Sequence, residues 1–408
     1  MKGIVVNMKD EFKLVSANEN NEKYENMIHR ELELYKNNSD LRSEFERDYN
    51  RIIHSTAYRR LKHKTQVFFS PENDHVCTRI EHVIYVDSIS YTIAKYLGLN
   101  TELTKAIATA HDIGHSPFGH KGERILSEIT QRDLGRIFWH EQNGLHLVDD
   151  IELLEDTEKN KQNMNLTYAV RDGIISHCGE VDQNSIRPRE EFMDLNEYQR
   201  PNQYAPYTWE GCVVKIADKI SYIGRDIEDA IRLRLLDDSL DELYKILNFN
   251  YTEKINNNLI ISKLVKDLCE NSSVKEGLKF SNDALEMLDK IKAFNYKKIY
   301  NSERMKPSNR YFELVINEIY NKLSSLYDGT NTLEKLQEQI HIYPRFINSF
   351  ISWIQDYWNL TERKETNLKN KVIFDMSKKE DYNKAIIYFI SGMTDKFAMD
   401  VYKEIISF

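Results

Sequence analysis

The sequence predicts an all-α protein, and three observations carry that prediction. Only 14 glycines and 7 prolines punctuate 408 residues. Apolar residues recur mostly at three- and four-residue intervals, and almost no segment alternates apolar with polar as a half-buried strand does. Helices joined by short polar loops satisfy all three.

The spacing predicts helices over residues 22–37, 40–62, 77–97, 102–113, 121–132, 140–155, 164–178 and 209–234, with helical pattern continuing through residue 408. In 77–97 an apolar stripe runs through Val86, Ile89, Ile93 and Leu97 and stops at Gly98. The next helix has Thr101 as a candidate N-cap, with Thr104 at the third position and apolar Leu103, Ile107 and Ala110. It must end near Gly114, because Pro117 disfavours helix at Ser116. In 209–234, Val213, Ile216, Ile220, Ile223 and Ile227 lie opposite a polar seam of Asp218, Tyr222, Arg225, Asp226 and Asp229, whose simplest reading is a solvated face. Two polar or proline-marked stretches, 155–165 and 187–208, read as connections, either surface excursions or a lid.

Composition narrows the function classes. With a net charge of −9, no basic excess advertises nucleic acid, so a polyanionic ligand must be held by a local cationic cluster. Cys77, Cys178, Cys212 and Cys269 stand far apart without a CxxC pair, which argues against a disulfide framework and a thiolate zinc site. No apolar run approaches the roughly 18 residues of a membrane span, and the N-terminal apolar run is too short for a signal-peptide core. A cytoplasmic protein with no membrane partner is expected.

The chemistry concentrates in "HDIGHSPFGHKGE", residues 111–123. His82 lies one turn back along the 77–97 stripe; alone, it reads most simply as a buried neutral imidazole bonded to a carbonyl. His111 and Asp112 occupy the last turn of their helix. Adjacent side chains on a regular helix diverge by about 100°, so such a pair serves one ion best at a loosening helix end. With Asp218 these residues make a set of two imidazoles and two carboxylates whose charge neutralises a divalent ion. That set suits Mg²⁺, Mn²⁺ or Fe²⁺ with open positions, and disfavours structural zinc.

Five blocks carry a family resemblance: "AYRRLKHKTQVF" (57–68), "DHVCTRIEH" (74–82), "HDIGHSPFGHKGE" (111–123), "ADKISYIGRDIEDAI" (217–231) and "YFISGMTDKFAMDVY" (388–402). In this order and content they resemble the deoxyguanosine triphosphate triphosphohydrolase family of the HD-domain phosphohydrolase superfamily. Because the chemically loaded segments lie at 58–82, 111–140 and 218–226, with helices needed on both sides, one interlocked helical core is expected over 40–235, by the resemblance an HD-domain catalytic core. An N-terminal segment, 1–39, precedes it, and a helical C-terminal region, 236–408, is expected to pack on it. The resemblance also implies hydrolysis of a deoxynucleoside triphosphate to deoxynucleoside and inorganic triphosphate, with His82, His111, Asp112 and Asp218 as ligands of a divalent metal ion (Mn²⁺, Mg²⁺ or Fe²⁺).

By the same resemblance His120, paired with Glu123 three residues on, transfers a proton, and His115 and His140 line the phosphate path; which group donates and which accepts stays open. Gln66 resembles the glutamine that bonds the sugar 3′-hydroxyl. Tyr222 resembles the tyrosine that stacks under the deoxyribose, and Asp226 its hydrogen-bonding partner. Arg79 and Lys219 resemble phosphate-contacting cations. The segment "WHEQNG" (139–144) is nearest the vertebrate SAM-and-HD-domain triphosphohydrolase, and the chain departs from bacterial members at Cys77, where arginine is typical, and Tyr85, where many have glutamate.

The resemblance further implies a homo-oligomer, a hexamer or tetramer, and leaves single-stranded DNA or a nucleotide effector open as a partner. The basic run "YRRLKHK" (58–64) admits a snorkelling helix face, a role near phosphate, or a nucleic-acid contact. Two other function classes share the H…HD…D pattern. One is an HD-type nucleotidase or phosphodiesterase, which has no need of Gln66, Tyr222 or the "GMTDKFA" block; the other is an HD-based nucleotide sensor or single-stranded nucleic-acid-binding protein.

Overall fold

The computed structural model describes residues 8–32, 41–69, 73, 75–178, 184–248, 257–361 and 366–407. In chain order the helices are α1 (Met8–Val15), α2 (Tyr24–Met27), α3 (Glu44–His54), α4 (Thr56–Arg60), α5 (Arg79–Leu97), α6 (Thr101–Ala110), α7 (Gly119–Leu134), α8 (His140–His146), α9 (Tyr168–Ser176) and α10 (Trp209–Arg232). They continue with α11 (Leu240–Leu247), α12 (Asn257–Asn271), α13 (Asn282–Asn295), α14 (Lys306–Ser324), α15 (Thr332–Glu338), α16 (Pro344–Ile354), α17 (Lys379–Ser391) and α18 (Asp395–Ile406). The all-α class predicted from spacing is the class observed. Among the described residues the strands are β1 (Leu153–Glu155) and β2 (Lys161–Asn163), an antiparallel hairpin pairing Leu154 with Gln162.

Several predicted elements are shorter or broken. The 22–37 helix is reduced to α2 within the described residues, and its end falls at 33–37, outside them. The 40–62 helix divides at Ser55, whose hydroxyl accepts the Tyr58 amide and starts α4 as a new helix. The 140–155 helix ends at His146, passes through a π turn over 147–151 and becomes β1. Thr101 is the first residue of α6 and not its cap: Asn100 caps it, accepting the amides of Glu102 at 2.9 Å and Leu103 at 3.0 Å.

The residues group into two compact units. The first comprises Met1–Asn50, Asp74–His111 and Leu166–Lys306. In it α5, α6, α9 and α10 pack on one another, with Val86, Ile93, Leu97, Leu103, Ile107, Val213, Ile220 and Ile223 fully buried. Each such side chain contributes about 1.5–3 kcal/mol of hydrophobic stabilisation before entropy is subtracted. α5 begins where Glu81 accepts the Thr78 amide at 2.7 Å, and ends at Gly98, whose φ of 88° is left-handed. The buried Glu210 of α10 accepts the amides of Ala17 and Asn100 and the Ser16 hydroxyl, which ties the start of α6 to α10.

The second unit comprises Arg51–Asn73, Asp112–Asn165 and Pro307–Phe408. Here α7 packs along α17, and the buried Glu152 accepts the Thr56 and Ala57 amides and pairs with Arg60 at 2.8 Å. A carboxylate at the first amides of α4 satisfies donors that have no partner inside the helix. Among the described residues, no helix is long and apolar enough to cross a membrane.

Candidate active site

Three helices of the first unit converge on one cluster, in which two histidines are buried and an aspartate is partly exposed. α5 brings His82 and α10 brings Asp218, with His82 Nε2 2.9 Å from Asp218 Oδ1. His111 follows α6 as its C-cap, and its Nε2 lies 3.9 Å from the same oxygen. The two imidazole rings meet edge to face, with centroids 5.5 Å apart. His111 Nδ1 lies 2.7 Å from the Ala108 carbonyl. A carbonyl only accepts, so Nδ1 carries a proton and Nε2 is the ring atom left to face the cluster.

Burial pushes the Asp218 carboxyl up, but the His82 hydrogen bond and the charges of His82, His111 and His177 outweigh it and hold the group at about 2. A carboxylate ionised at neutral pH, set with two imidazoles whose donor atoms lie within 4.8 Å of one another, is a donor set that fits a divalent ion. The polar seam of α10 is not a solvated face. Asp226 and Asp229 are buried, and Tyr300 donates its hydroxyl to Asp226 Oδ2 at 2.5 Å. Burial and the Asp226 charge hold the Tyr300 hydroxyl well above its ordinary value, so it stays a neutral donor. Arg79 on α5 and Lys219 on α10 are both buried in this unit, and Tyr222 on α10 is half-buried.

Both departures from the bacterial pattern surround Arg225. Its Nη1 lies 3.3 Å from the Tyr85 hydroxyl, and its guanidinium sits over the Tyr85 ring at 5.4 Å. Asp229 lies 3.5 Å from its Nε, while the other Asp229 oxygen accepts the Cys77 amide at 2.9 Å. Burial pushes the Cys77 thiol up to about 12, so position 77 is neutral and the local cation comes from α10.

The chain passes into the second unit between His111 and Asp112. There Asp112 Oδ1 lies 2.9 Å from His115 Nδ1, and the His115 ring lies 3.7 Å from that of His140. Glu123, on the first turns of α7, serves two histidines. Its Oε1 accepts the His140 amide at 3.0 Å and lies 3.0 Å from His140 Nδ1, while Oε2 lies 3.3 Å from His120 Nδ1. Burial raises the Glu123 carboxyl, but the His140 charge and the bonds from His120 and His140 hold it well below its usual range. His140 is thus buried and doubly held, whereas the His120 side chain, held by Glu123 alone, is 70% exposed. A Cβ on Gly114 would lie 2.0 Å from the His140 carbonyl, so only glycine lets the 111–119 loop meet α8.

Gln66 is also buried in this unit. The basic run before it points in different directions. Arg59, Lys62 and His63 are exposed and Arg60 pairs with Glu152, whereas Lys64 is buried and donates to the carbonyls of His115 and Ser391. Sequence reasoning missed Lys64, Tyr300, Asp395 and His177 as parts of these clusters. For Asp395 a signal was at hand, its place in the "GMTDKFA" block.

The family model for the HD domain matches residues 79–223. The chain is therefore an HD-domain protein of the metal-dependent phosphohydrolase class. It is 33% identical over 368 residues to a deoxyguanosinetriphosphate triphosphohydrolase-like protein of Caldanaerobacter subterraneus, covering 90% of this chain and 86% of that one. A protein of the same description from Rickettsia prowazekii is 32% identical over 90% of this chain and 92% of its own, and one from Clostridium tetani is 35% identical over 70% and 74%. The chain belongs to the deoxyguanosinetriphosphate triphosphohydrolase-like family.

Proposed function

We propose that the chain hydrolyses deoxynucleoside triphosphates to deoxynucleoside and inorganic triphosphate. The observation that carries this reading is the His82, His111 and Asp218 cluster, its two histidines buried and its Asp218 carboxylate held ionised between the imidazoles. Asp112, next in the chain, is the proposed fourth ligand. A divalent ion there, Mn²⁺, Mg²⁺ or Fe²⁺, would draw charge off phosphate oxygens.

The chain's own residues supply binding and proton handling. Water adds to the α-phosphorus and the bond from that phosphorus to the 5′-oxygen breaks, so the alkoxide that leaves needs a proton and the water must lose one. His120 and His140, held by Glu123, are the groups proposed to exchange those protons, and His115 lines the phosphate path. Arg79 and Lys219 are proposed to meet phosphate charge, Gln66 the sugar 3′-hydroxyl, and Tyr222, with Asp226 beside it, the deoxyribose face. Asp226 already accepts from Tyr300, which fixes its carboxylate.

The names of the relatives support guanine nucleotides among the substrates; the substrate class is proposed as deoxynucleoside triphosphates in general, acted on in the cytoplasm by a homo-oligomer. A panel of four deoxynucleoside triphosphates, each with Mn²⁺, Mg²⁺ and Fe²⁺ and resolved by ion-exchange chromatography, tests the reading. Deoxynucleoside and tripolyphosphate are the expected products. Monophosphate with pyrophosphate would instead assign a phosphodiesterase-type cleavage.

A further inference from the structure

A third buried imidazole reaches the metal cluster of the first unit from α9. His177 is the C-cap of that helix and is 1% exposed. Its ring meets that of His111 edge to face, with centroids 5.0 Å apart, and one nitrogen of each ring lies within 4.8 Å of the other. Two donors bound to one ion at about 2.0–2.2 Å lie up to roughly 4.4 Å apart, so a shared ion needs a shift of no more than a few tenths of an ångström from a separation of at most 4.8 Å.

The ring of His177 is held in the same manner as that of His111. His177 Nδ1 lies 2.8 Å from the Ile174 carbonyl, three residues earlier, and His111 Nδ1 lies 2.7 Å from the Ala108 carbonyl, again three residues earlier. In both rings Nδ1 therefore carries a proton, which leaves Nε2 as the atom that can meet an ion. A ring nitrogen that donates to a carbonyl while the other faces a cluster of donors is the usual arrangement of a metal-binding histidine.

The backbone around His177 is fixed from α10, the helix that carries Asp218. Lys215, buried one turn before Asp218, donates to the carbonyls of Ser176 and Cys178, the residues on either side of His177. That clamp sets where the end of α9 lies against α10. It turns a helix end that would otherwise fray into a fixed platform.

We propose that His177 is a third imidazole ligand of the ion held by His82, His111 and Asp218, and that it biases the site toward transition metals over Mg²⁺. The proposal rests on the metal-site reading above and deepens it. Imidazole suits Fe²⁺ and the later first-row ions best, and Mn²⁺ least among them, whereas Mg²⁺ keeps to oxygen ligands and water. Adding a third nitrogen to the site therefore raises transition-metal affinity and leaves Mg²⁺ affinity nearly unchanged.

Two measurements on the full chain test it. Pulsed electron paramagnetic resonance of the Mn²⁺-loaded wild type counts coordinated imidazole nitrogens, and three are expected. Equilibrium dialysis of His177→Gln is expected to give Mn²⁺ binding, and more strongly Fe²⁺ binding under anaerobic conditions, weaker by at least the roughly 10- to 100-fold that loss of an outer-shell partner costs, with Mg²⁺ binding and thermal unfolding of the metal-free protein unchanged. A count of two imidazoles in the wild type overturns the role of His177 and leaves the His82, His111 and Asp218 reading standing. No Mn²⁺ binding by the wild type overturns both. Equal loss of Mn²⁺ and Mg²⁺ affinity in His177→Gln assigns His177 to support of the fold and overturns the proposed metal bias.

Discussion

The Asp395 carboxylate accepts the Phe118 amide at 2.9 Å through one oxygen, and the amide and hydroxyl of Thr65, at 2.9 and 2.5 Å, through the other. Phe118 has a φ of 64°, a left-handed conformation that disfavours a bulky side chain, two residues before His120. Its ring stacks on that of Phe312 at 4.4 Å. Thr65 directly precedes Gln66. One buried carboxylate of the second unit thus fixes the turn into α7 and the segment that presents Gln66, which gives the "GMTDKFA" block a positioning role.

Replacing Asp395 by Ala strands three donors in a buried place, and each loses a bond whose absence costs about 1–3 kcal/mol. Asp395→Ala should therefore unfold at markedly lower denaturant than the wild type. Asp395→Asn should lose less, because one amide oxygen still accepts. Among protein that remains folded, both variants should lose turnover through the displaced start of α7. Denaturation followed alongside kcat checks this, and wild-type kcat in folded Asp395→Ala would remove the positioning role.

Glu123 offers a test with a defined sign. Its folded carboxyl lies well below the ordinary 4.5, so its contribution to stability is complete above that value and is lost as pH falls through the lower folded value. The stability difference between wild type and Glu123→Gln should shrink as pH drops below 4.5. The same variant should lose about 10²- to 10⁴-fold in kcat, the usual worth of positioned proton transfer. A difference that instead grows below pH 4.5 would show that the carboxyl is not depressed.

Chelation should abolish turnover, and Mn²⁺ should restore it. Asp218→Ala should bind no Mn²⁺ in equilibrium dialysis and hydrolyse no substrate at any Mn²⁺ concentration, while keeping its helical circular dichroism. Turnover at the wild-type rate in this variant would exclude Asp218 from the metal site.

Gln66 should set discrimination at the sugar. A buried amide left unpaired by a substrate that lacks the 3′-hydroxyl costs about 1–3 kcal/mol, or roughly 5- to 150-fold in kcat/KM. The wild type should prefer a deoxynucleoside triphosphate over its dideoxy analogue by a factor in that range, and Gln66→Ala should lose most of the preference. Unchanged selectivity in the variant would place the 3′-hydroxyl elsewhere.

The helical class was legible because three- and four-residue spacing reports which face of each segment is buried. Elements that depend on few residues were not. β1 and β2 are three residues each, too short to alternate, and β2 is the polar Lys161, Gln162 and Asn163. Asn100 caps α6 although Thr101 read as the cap, because an Asn side chain one residue earlier reaches two amides. Lys64 could not be separated from its basic neighbours by composition, since burial is set by the carbonyls of residues 115 and 391. His177 gave no periodic signal: it ends a helix buried on every face, and the rings and carboxylate it joins come from helices distant in sequence.

The most direct measurement follows the phosphorus. Wild type is incubated with dGTP and Mn²⁺ in heavy-oxygen water, and the products are read by phosphorus NMR. Tripolyphosphate is the expected phosphorus product, with the heavy oxygen on one of its terminal phosphorus atoms, and chromatography of the same samples should give an equal amount of deoxyguanosine. Label appearing in dGMP or in pyrophosphate, with no tripolyphosphate formed, would contradict the proposed reaction.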